Sequence, residues 1–503
     1  METQKKSGKK LISVFVLLLA FITAKGIEHS NPNLSAEAKA LLKLYYNISG
    51  KYTLTGQHNY PNSKDRNTRT ARDFYGKTPV IWGSDFGFAK EGDKDAYTSR
   101  PEIVKEAIRQ HHKGSIIHLC WHAVPPTADE PVVFRSYDNK KTGRLNSVQG
   151  RLTEEQYKDL LTPGTDIYNN WAKQVDTIAF YLKQLQEARV PVMWRPYHEM
   201  NGNWFWWGER IGKYSTKDIY IQLYDRLVNY HKLNNLIWVW NVDRPFGPIR
   251  NFSNYYPGDK YLDILSLDVY GSDFQQQFYD SLVSLSKGKP VLLGEVGQPP
   301  LPGILDKQPL WTSWTIWADM AKDVNDDHLS MIRNDARILS KEDTAFIRLA
   351  KPYWQTCNLT ALPLEDKFTD VNFSGTWILN KEKNDKRSKS PFLLVVDRDN
   401  EILFVKKYTF SEYGEDHINY EDIYLDGKEI IVHNQNVTSD MKAFWDEKNQ
   451  QLEIVINSTH QWEKVKNAET WKLDNDGKQL KIEHKAHDRS GKETIIETIY
   501  DKY

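Results

Sequence analysis

The run Val192-Met193-Trp194-Arg195-Pro196-Tyr197-His198-Glu199 decides the fold. Its first residues are apolar and strand-favouring, and it stops in a polar cluster ending on an acid. On its N-terminal side Trp171 to Arg189 repeats apolar residues at helical spacing. Beyond a loop rich in Trp and Gly, Lys217 to Lys232 does the same. A short strand between two amphipathic helices is one unit of a βα repeat. The same unit recurs from about residue 35 to 350, with strand candidates at Tyr52–Gln57, Pro79–Ser84, Ser115–Trp121, Pro191–Tyr197, Asn235–Asn241, Leu262–Val269, Pro290–Glu295 and Ser313–Trp317. Arg100 to Lys113 and Phe274 to Lys287 supply further helices. This is an α/β chain, and eight strands over this length favour a closed (β/α)8 TIM barrel over an open doubly wound sheet. A glycine-rich phosphate loop after the first strand is absent, which removes support for a nucleotide-binding sheet.

Past Pro363 the texture changes. Alternating segments such as Glu429–His433, Leu452–Ile456 and Leu480–His484 are separated by turn signals, among them Asp426-Gly427 and Asp476-Gly477. They predict a small antiparallel all-β domain, a barrel or sandwich of up-and-down strands. Phe373-Ser374-Gly375-Thr376-Trp377 resembles the opening of lipocalin-like barrels. Sugar binding and passive stabilisation are both open for this module. At the other end Lys5, Lys6, Lys9 and Lys10 precede the apolar run Leu11 to Thr23, and Ala24 and Gly26 follow. That is the pattern of an export signal, and the run is short for a membrane anchor. The expected organisation is a signal peptide at 1–26, a catalytic barrel at 27–363 and an accessory β domain at 364–503. The mature chain is expected to be secreted or periplasmic, free of the membrane and monomeric.

Over the 503 residues, 67 Lys and Arg balance 67 Asp and Glu, so there is no basic excess to draw nucleic acid or anionic lipid. The 17 Trp and 27 Tyr suit a neutral partner with flat apolar faces, such as a sugar ring. The two cysteines, Cys120 and Cys357, form no disulfide or metal pattern, and the histidines lack ligand spacing. No metal or other cofactor is expected.

In a barrel of this kind the active site lies at the C-terminal ends of the strands. The fourth candidate ends at Glu199 and runs on through Met200-Asn201-Gly202-Asn203-Trp204-Phe205-Trp206-Trp207-Gly208; the seventh is Val291-Leu292-Leu293-Gly294-Glu295-Val296-Gly297. Acids at the ends of strands four and seven would face one pocket from opposite sides. Glycoside cleavage requires such a pair, one carboxylic acid to protonate the departing oxygen and one carboxylate to attack or stabilise the sugar cation. Ordinary strand-end salt bridges are the alternative, and they leave the surrounding Trp and His unexplained. Asn241, after Trp238-Val239-Trp240, is a candidate ligand for a sugar hydroxyl.

The segment Trp194 to Gly208 resembles the acid/base signature of glycoside hydrolase family 26, and Gly294-Glu295-Val296-Gly297 resembles the nucleophile strand of that family and its clan of retaining barrels. The resemblance covers roughly residues 35 to 350. It implies Glu199 as general acid/base and Glu295 as nucleophile, with net retention. It also implies sugar-site positions for His198, for Trp204 five residues past the acid, for His122 at the end of the third strand, and for Trp317 on the pocket floor. Tyr270 would hydrogen-bond the nucleophile. For Tyr270 and Trp317 packing of the barrel rim is the alternative. By the family's commonest activity the expected reaction is cleavage of β-1,4-mannosidic bonds in mannan, glucomannan or galactomannan, within the chain. An exo-acting mannanase or a β-glucanase or xylanase of the same family is the enzymatic alternative, and a non-catalytic glycan-binding protein the alternative of another class. The long stretch from Ala123 to about Gly164 departs from the short loop expected in the simplest endo-mannanases. It either walls off part of the cleft or folds back on the barrel.

Overall fold

The computed structural model describes residues 27–359 apart from 62, 88–94 and 135–144, and residues 371–503 apart from 385–389, 400–401, 410–416, 426, 428–429, 435–436, 461–462, 475 and 488–492. The expected leader at 1–26, the expected boundary at 363/364 and Asp426 of the Asp426-Gly427 turn lie outside the described residues. The chain divides into two compact units, Met1–Leu364 and Glu365–Tyr503.

In the first unit eight parallel strands close on themselves: β1 (Gly56–His58), β2 (Ile81–Asp85), β3 (Ile116–Trp121), β4 (Val192–Pro196), β5 (Leu236–Asp243), β6 (Ile264–Val269), β7 (Val291–Val296) and β8 (Trp311–Ile316). Each pairs with the next, and β8 returns to β1 at Ile316 and Gln57. The unit is the (β/α)8 barrel expected from the eight apolar runs, and the second unit is the expected antiparallel β module.

The barrel interior is layered by the two-residue period of its strands. Ile81, Ile116, Met193, Val239, Ile264 and Leu292 join one buried apolar cluster towards the strand beginnings. Two or four residues further along the same faces come Asp85, Cys120, Arg195, Asn241 and Asp268, all buried. An apolar floor therefore carries a polar upper layer. Two helices that the strand pattern did not announce, Ala36–Ile48 and Thr344–Thr356, pack Leu41, Leu42, Tyr45, Phe346 and Tyr353 into the same apolar cluster. Each such side chain contributes about 2 kcal/mol when fully buried. On the other face of the sheet, Trp82, Leu119, Trp194, Trp238 and Leu293 meet Trp171, Val175, Ile178 and Leu182 of the helix Asp166–Glu187.

The stretch after β3 holds more structure than its polar composition suggested. Thr153 and Gln156 form a reciprocal capping box that starts a helix at Glu154–Leu160. Leu145 and Val148 are buried in the main core, and Val132 and Phe134 pack half-buried against it.

The second unit is a ten-stranded antiparallel sheet, from Gly375–Leu379 to Glu493–Lys502. Its first strand pairs with its last, and the remaining strands follow in sequence order from that seam to edges at His417–Tyr424 and Ile430–Asn434. The Asp476-Gly477 turn has positive φ at both residues, 56° and 77°, the geometry a tight hairpin demands. One face buries Trp377, Leu403, Val405, Leu452, Trp471 and Tyr500. Lys407 continues that face and meets Glu421 at 2.8 Å and Glu469 at 3.5 Å. Burial alone would raise the Glu469 carboxyl, but Lys407 and His484 outweigh it and hold the group down at about 2.

Every residue of the first unit's two cores lies between Leu34 and Cys357. A chain spanning 27–364 is therefore expected to be soluble and to unfold cooperatively, with a far-UV spectrum of mixed helix and strand. Insoluble or non-cooperative material would show that the β module is needed to complete the barrel.

Candidate active site

β4 ends at Pro196, and the chain then leaves extended geometry abruptly. Tyr197 and Glu199 both adopt left-handed backbone, with φ of 47° and 48°, a conformation that costs about 1–3 kcal/mol at a non-glycine residue unless its surroundings hold it. They do. The Glu199 N–H donates to Asn241 Oδ1 at 2.7 Å, the Met200 N–H to the Asn241 carbonyl at 3.4 Å, and the Gly202 N–H to the Glu199 carbonyl at 2.8 Å. The side chain is held as well, by Trp204 Nε1 donating to Glu199 Oε2 at 2.5 Å. Gly202 lies under that indole so closely that a Cβ there would stand 2.3 Å from the ring, so only glycine lets Trp204 reach back over the acid. Burial raises the Glu199 carboxyl well above its ordinary range, and the negative Glu295 and Asp268 add to the effect. Glu199 is thus kept as a neutral acid.

Glu295 reaches the same pocket by a different device. Strict alternation along β7 would turn it away from the face that holds Leu292 and Gly294. The β6–β7 register instead steps from Leu267 opposite Leu293 to Asp268 opposite Glu295. This local bulge re-aims the side chain into the barrel mouth. There Arg195 Nη2 donates to Glu295 Oε1 at 2.5 Å, and the Tyr270 hydroxyl donates to Oε2 at 2.5 Å. The other arm of Arg195 binds Asp268 Oδ2 at 3.0 Å, and Asn241 Nδ2 donates to Asp268 Oδ1 at 2.7 Å and Ser266 Oγ at 2.8 Å. Gly294 makes room for this mesh, since a Cβ would stand 2.6 Å from Asp268 Oδ1 and 2.8 Å from Asn241 Nδ2. Burial first, then the neighbouring Glu295, pushes the Tyr270 hydroxyl well up, so it stays a donor. One carboxylate oxygen from each of Glu199, Asp268 and Glu295 lies within 4.8 Å of the others.

Beside the two glutamates is a row of histidines. His122 Nδ1 is 2.5 Å from Asp85 Oδ2, its Nε2 is 3.1 Å from His198 Nε2, and that nitrogen is 3.7 Å from Glu295 Oε1. Burial first, then the neighbouring His122 and Arg195, lowers His198 well below the ordinary histidine range, so it is neutral. Trp317 is half-buried and stacks on His58 at 3.9 Å between ring centres. Burial brings His58 down to about 3, which gives the tryptophan a neutral support. Phe134 and Phe205 meet the edge of His122 at 5.6 and 5.1 Å.

All eight residues singled out in the sequence, Glu199, Glu295, His122, His198, Trp204, Asn241, Tyr270 and Trp317, therefore stand at one end of the barrel. Two have a different place from the one expected. Asn241 has both amide protons and its oxygen committed to Ser266, Asp268 and Glu199, so it clamps the acid's backbone and is not poised as a hydroxyl ligand. His122 has both ring nitrogens turned to protein groups. Sequence reading also passed over Arg195, Asp268 and Asp85. The first two stand inside strand candidates, Arg195 one residue before Pro196 and Asp268 one residue before Val269, and opposite charges on lumen-facing strand positions were the signal. Among the described residues two clusters have donors close enough for a cation. In Glu199, Asp268 and Glu295, however, the Arg195 guanidinium already supplies the positive charge. In Asp85, Cys120 and His122, burial and Asp85 push the thiol well up, and it donates to Asp85 at 2.8 Å as a thiol, not a thiolate.

Comparison with known proteins agrees with this geometry. The chain is 35% identical over 301 residues to mannan endo-1,4-beta-mannosidase of Thermothelomyces thermophilus, an alignment covering 58% of this chain and 57% of that protein. The chain thus spans little more than half the length of that curated relative. Among solved structures it is similar to GH26A from Muricauda sp. MAR_2010_75, with 42% identity and a TM-score of 0.57 over 62% of this chain and 98% of the other. It is also similar to the Podospora anserina GH26-CBM35 beta-(1,4)-mannanase, with 29% identity and a TM-score of 0.54 over 65% and 70% of the two chains. The sequence pattern of glycosyl hydrolase family 26 matches residues 30–343, more than half of the protein. With two carboxylates converging at the strand ends of a (β/α)8 barrel, the chain belongs to glycosyl hydrolase family 26.

Proposed function

We propose that the protein is a retaining glycoside hydrolase that cuts β-1,4-mannosidic bonds inside mannan, glucomannan or galactomannan. The observation that carries this reading is the close approach of the Glu199 and Glu295 carboxylates, within 4.8 Å. Retaining enzymes keep the two groups about 5–5.5 Å apart, whereas inverting enzymes leave about 6.5–9.5 Å for a water. The names of the relatives, mannan endo-1,4-beta-mannosidase and beta-(1,4)-mannanase, support mannan as the substrate. Glu199, neutral through burial, protonates the departing glycosidic oxygen. Glu295, held between Arg195 and Tyr270, attacks the anomeric carbon as the glycosidic bond breaks and forms a covalent glycosyl ester. Glu199, now a carboxylate, takes a proton from water, whose oxygen displaces Glu295 and restores the starting configuration. Trp204 and Trp317 offer ring faces to the sugar, with His198 and Tyr270 beside the reacting carbon. The chain acts as a monomer, exported by the segment 1–26. No helix among the described residues is long and apolar enough to cross a membrane.

Glu199→Ala is expected to slow polymer cleavage by about 10²–10⁴-fold, yet leave the first step on a dinitrophenyl glycoside within about tenfold, since that leaving group needs little protonation. The sign of the pH effect follows from the raised Glu199 carboxyl. Activity falls as pH rises through that value and the acid is lost, so the basic limb should vanish for the variant on the activated substrate. A 2-fluoro mannosyl donor should label Glu295, and labelling of another carboxylate would contradict the assignment.

Internal cutting rests on the names of the relatives. In the stretch after β3, Val148 and Gln149 donate back to the Val133 and Phe134 carbonyls at 3.1 and 2.9 Å, which closes the segment on itself. On soluble galactomannan, viscosity should collapse while few reducing ends have formed. Uniform mono- or disaccharide release from the earliest time point would rule out an open groove.

A further inference from the structure

The buried Asp85 is not needed for the two-carboxylate chemistry, yet its carboxylate receives four donors. Oδ1 accepts the backbone N–H of Gly87 at 2.6 Å and of His122 at 3.1 Å; Oδ2 accepts the Cys120 thiol at 2.8 Å and faces His122 Nδ1 at 2.5 Å. Burial alone would raise this group, but the His122 ring and the surrounding donors outweigh it and hold it well below the usual carboxylate range. An ionised carboxylate only accepts hydrogen bonds, so His122 must carry a proton on Nδ1. When Nδ1 holds the ring's one proton, Nε2 is a bare acceptor. It faces His198 Nε2 at 3.1 Å, and two bare nitrogens cannot share that distance favourably, so the His198 proton sits on Nε2. The same nitrogen is 3.7 Å from Glu295 Oε1. We propose that Asp85 is a positioning residue for the nucleophile, fixing the proton order of the His122–His198 pair so that an N–H, and not a lone pair, faces Glu295. This rests on Glu295 being the nucleophile. The fourth nitrogen along the row, His198 Nδ1, is buried with no hydrogen-bond partner among the described residues, as expected if it is the bare acceptor at the end of the row.

The geometry makes Asp85→Asn an unusually clean test. The Gly87 and His122 N–H groups require the amide oxygen at the Oδ1 position, which forces the NH₂ towards His122 Nδ1. Every proton in the row then moves by one site. His122 becomes Nε2–H, His198 becomes Nδ1–H, and a lone pair faces Glu295.

Other charged and titratable groups facing Glu295 are Arg195 and Glu199 on or just after β4, Cys120 on β3, Asp243 on β5, and Asp268 and Tyr270 on or just after β6; of these the substitution touches Cys120, whose thiol loses its acceptor. Turning a lone pair instead of an N–H dipole towards a carboxylate 3.7 Å away raises its proton affinity. In Asp85→Asn the acid limb of kcat/KM on a dinitrophenyl mannoside should therefore move up by on the order of one pH unit, with the basic limb unmoved and kcat/KM at neutral pH down by roughly 10²-fold. A variant that keeps both limbs in place, whether at full or uniformly reduced activity, would overturn the proposal and leave Asp85 a packing residue. ¹⁵N shifts of histidine-labelled full-length wild-type protein test the proton order without any variant having to fold. Nδ1–H on His122 with Nε2–H on His198 is the expected pattern, and Nε2–H on His122 would overturn it. Should no glycan be cleaved while this tautomer order is found, the functional reading fails and the proton order stands.

Discussion

Arg195 sits with its guanidinium among the lumen residues at the barrel mouth, 1% exposed and bound to both Asp268 and Glu295. A cation so placed loses several kcal/mol of hydration, and stripping it of one partner would cost about 3–5 kcal/mol. Its two carboxylates are therefore obligatory. Asp268, once held, orients Asn241 through Oδ1, and Asn241 in turn holds the backbone of Glu199 in its left-handed conformation. Glu295 and Glu199 are tied together through one buried charge, so neither can shift without the other.

The same arrangement divides the two glutamates electrostatically. Glu295 shares its oxygens with a guanidinium and a phenol. Glu199 accepts an indole N–H on its side chain and faces two other carboxylates, so burial and like charge raise its proton affinity. Two chemically identical side chains less than 5 Å apart thus sit in opposite surroundings.

The eight strands and the four helices between them were legible because burial against a closed sheet imposes a pattern on the sequence. The residues on both sides of β4 and β5 must be apolar or paired, and Val192–Trp194 and Leu236–Trp240 say so directly. The two helices that close the floor, Ala36–Ile48 and Thr344–Thr356, were not foreseen because they stand outside the repeat. The helix at Glu154–Leu160 was overlooked although Thr153 and Gln156 spelled its capping box. Trp204 and Tyr270 were legible as site residues because aromatic side chains beside glycine at a strand end have little packing reason to be there. The partners of Asn241 could not be read from the sequence, because whether an amide faces a ligand or a neighbouring backbone depends on what lies across the barrel.

By itself the sequence determined the repeat, the change of texture beyond residue 363, and which acids end strands four and seven. Those properties follow from local period and from residue chemistry. Tertiary structure alone decided that Glu295 points inward, because a bulge between β6 and β7 overrides the alternation that the sequence would dictate. It also decided that Arg195, Asp268 and Asp85 belong to the site, and which of two glutamates keeps its proton. Proton affinity is set by burial and by charges brought together from strands up to 100 residues apart in the chain, and that distance closes only when the barrel does.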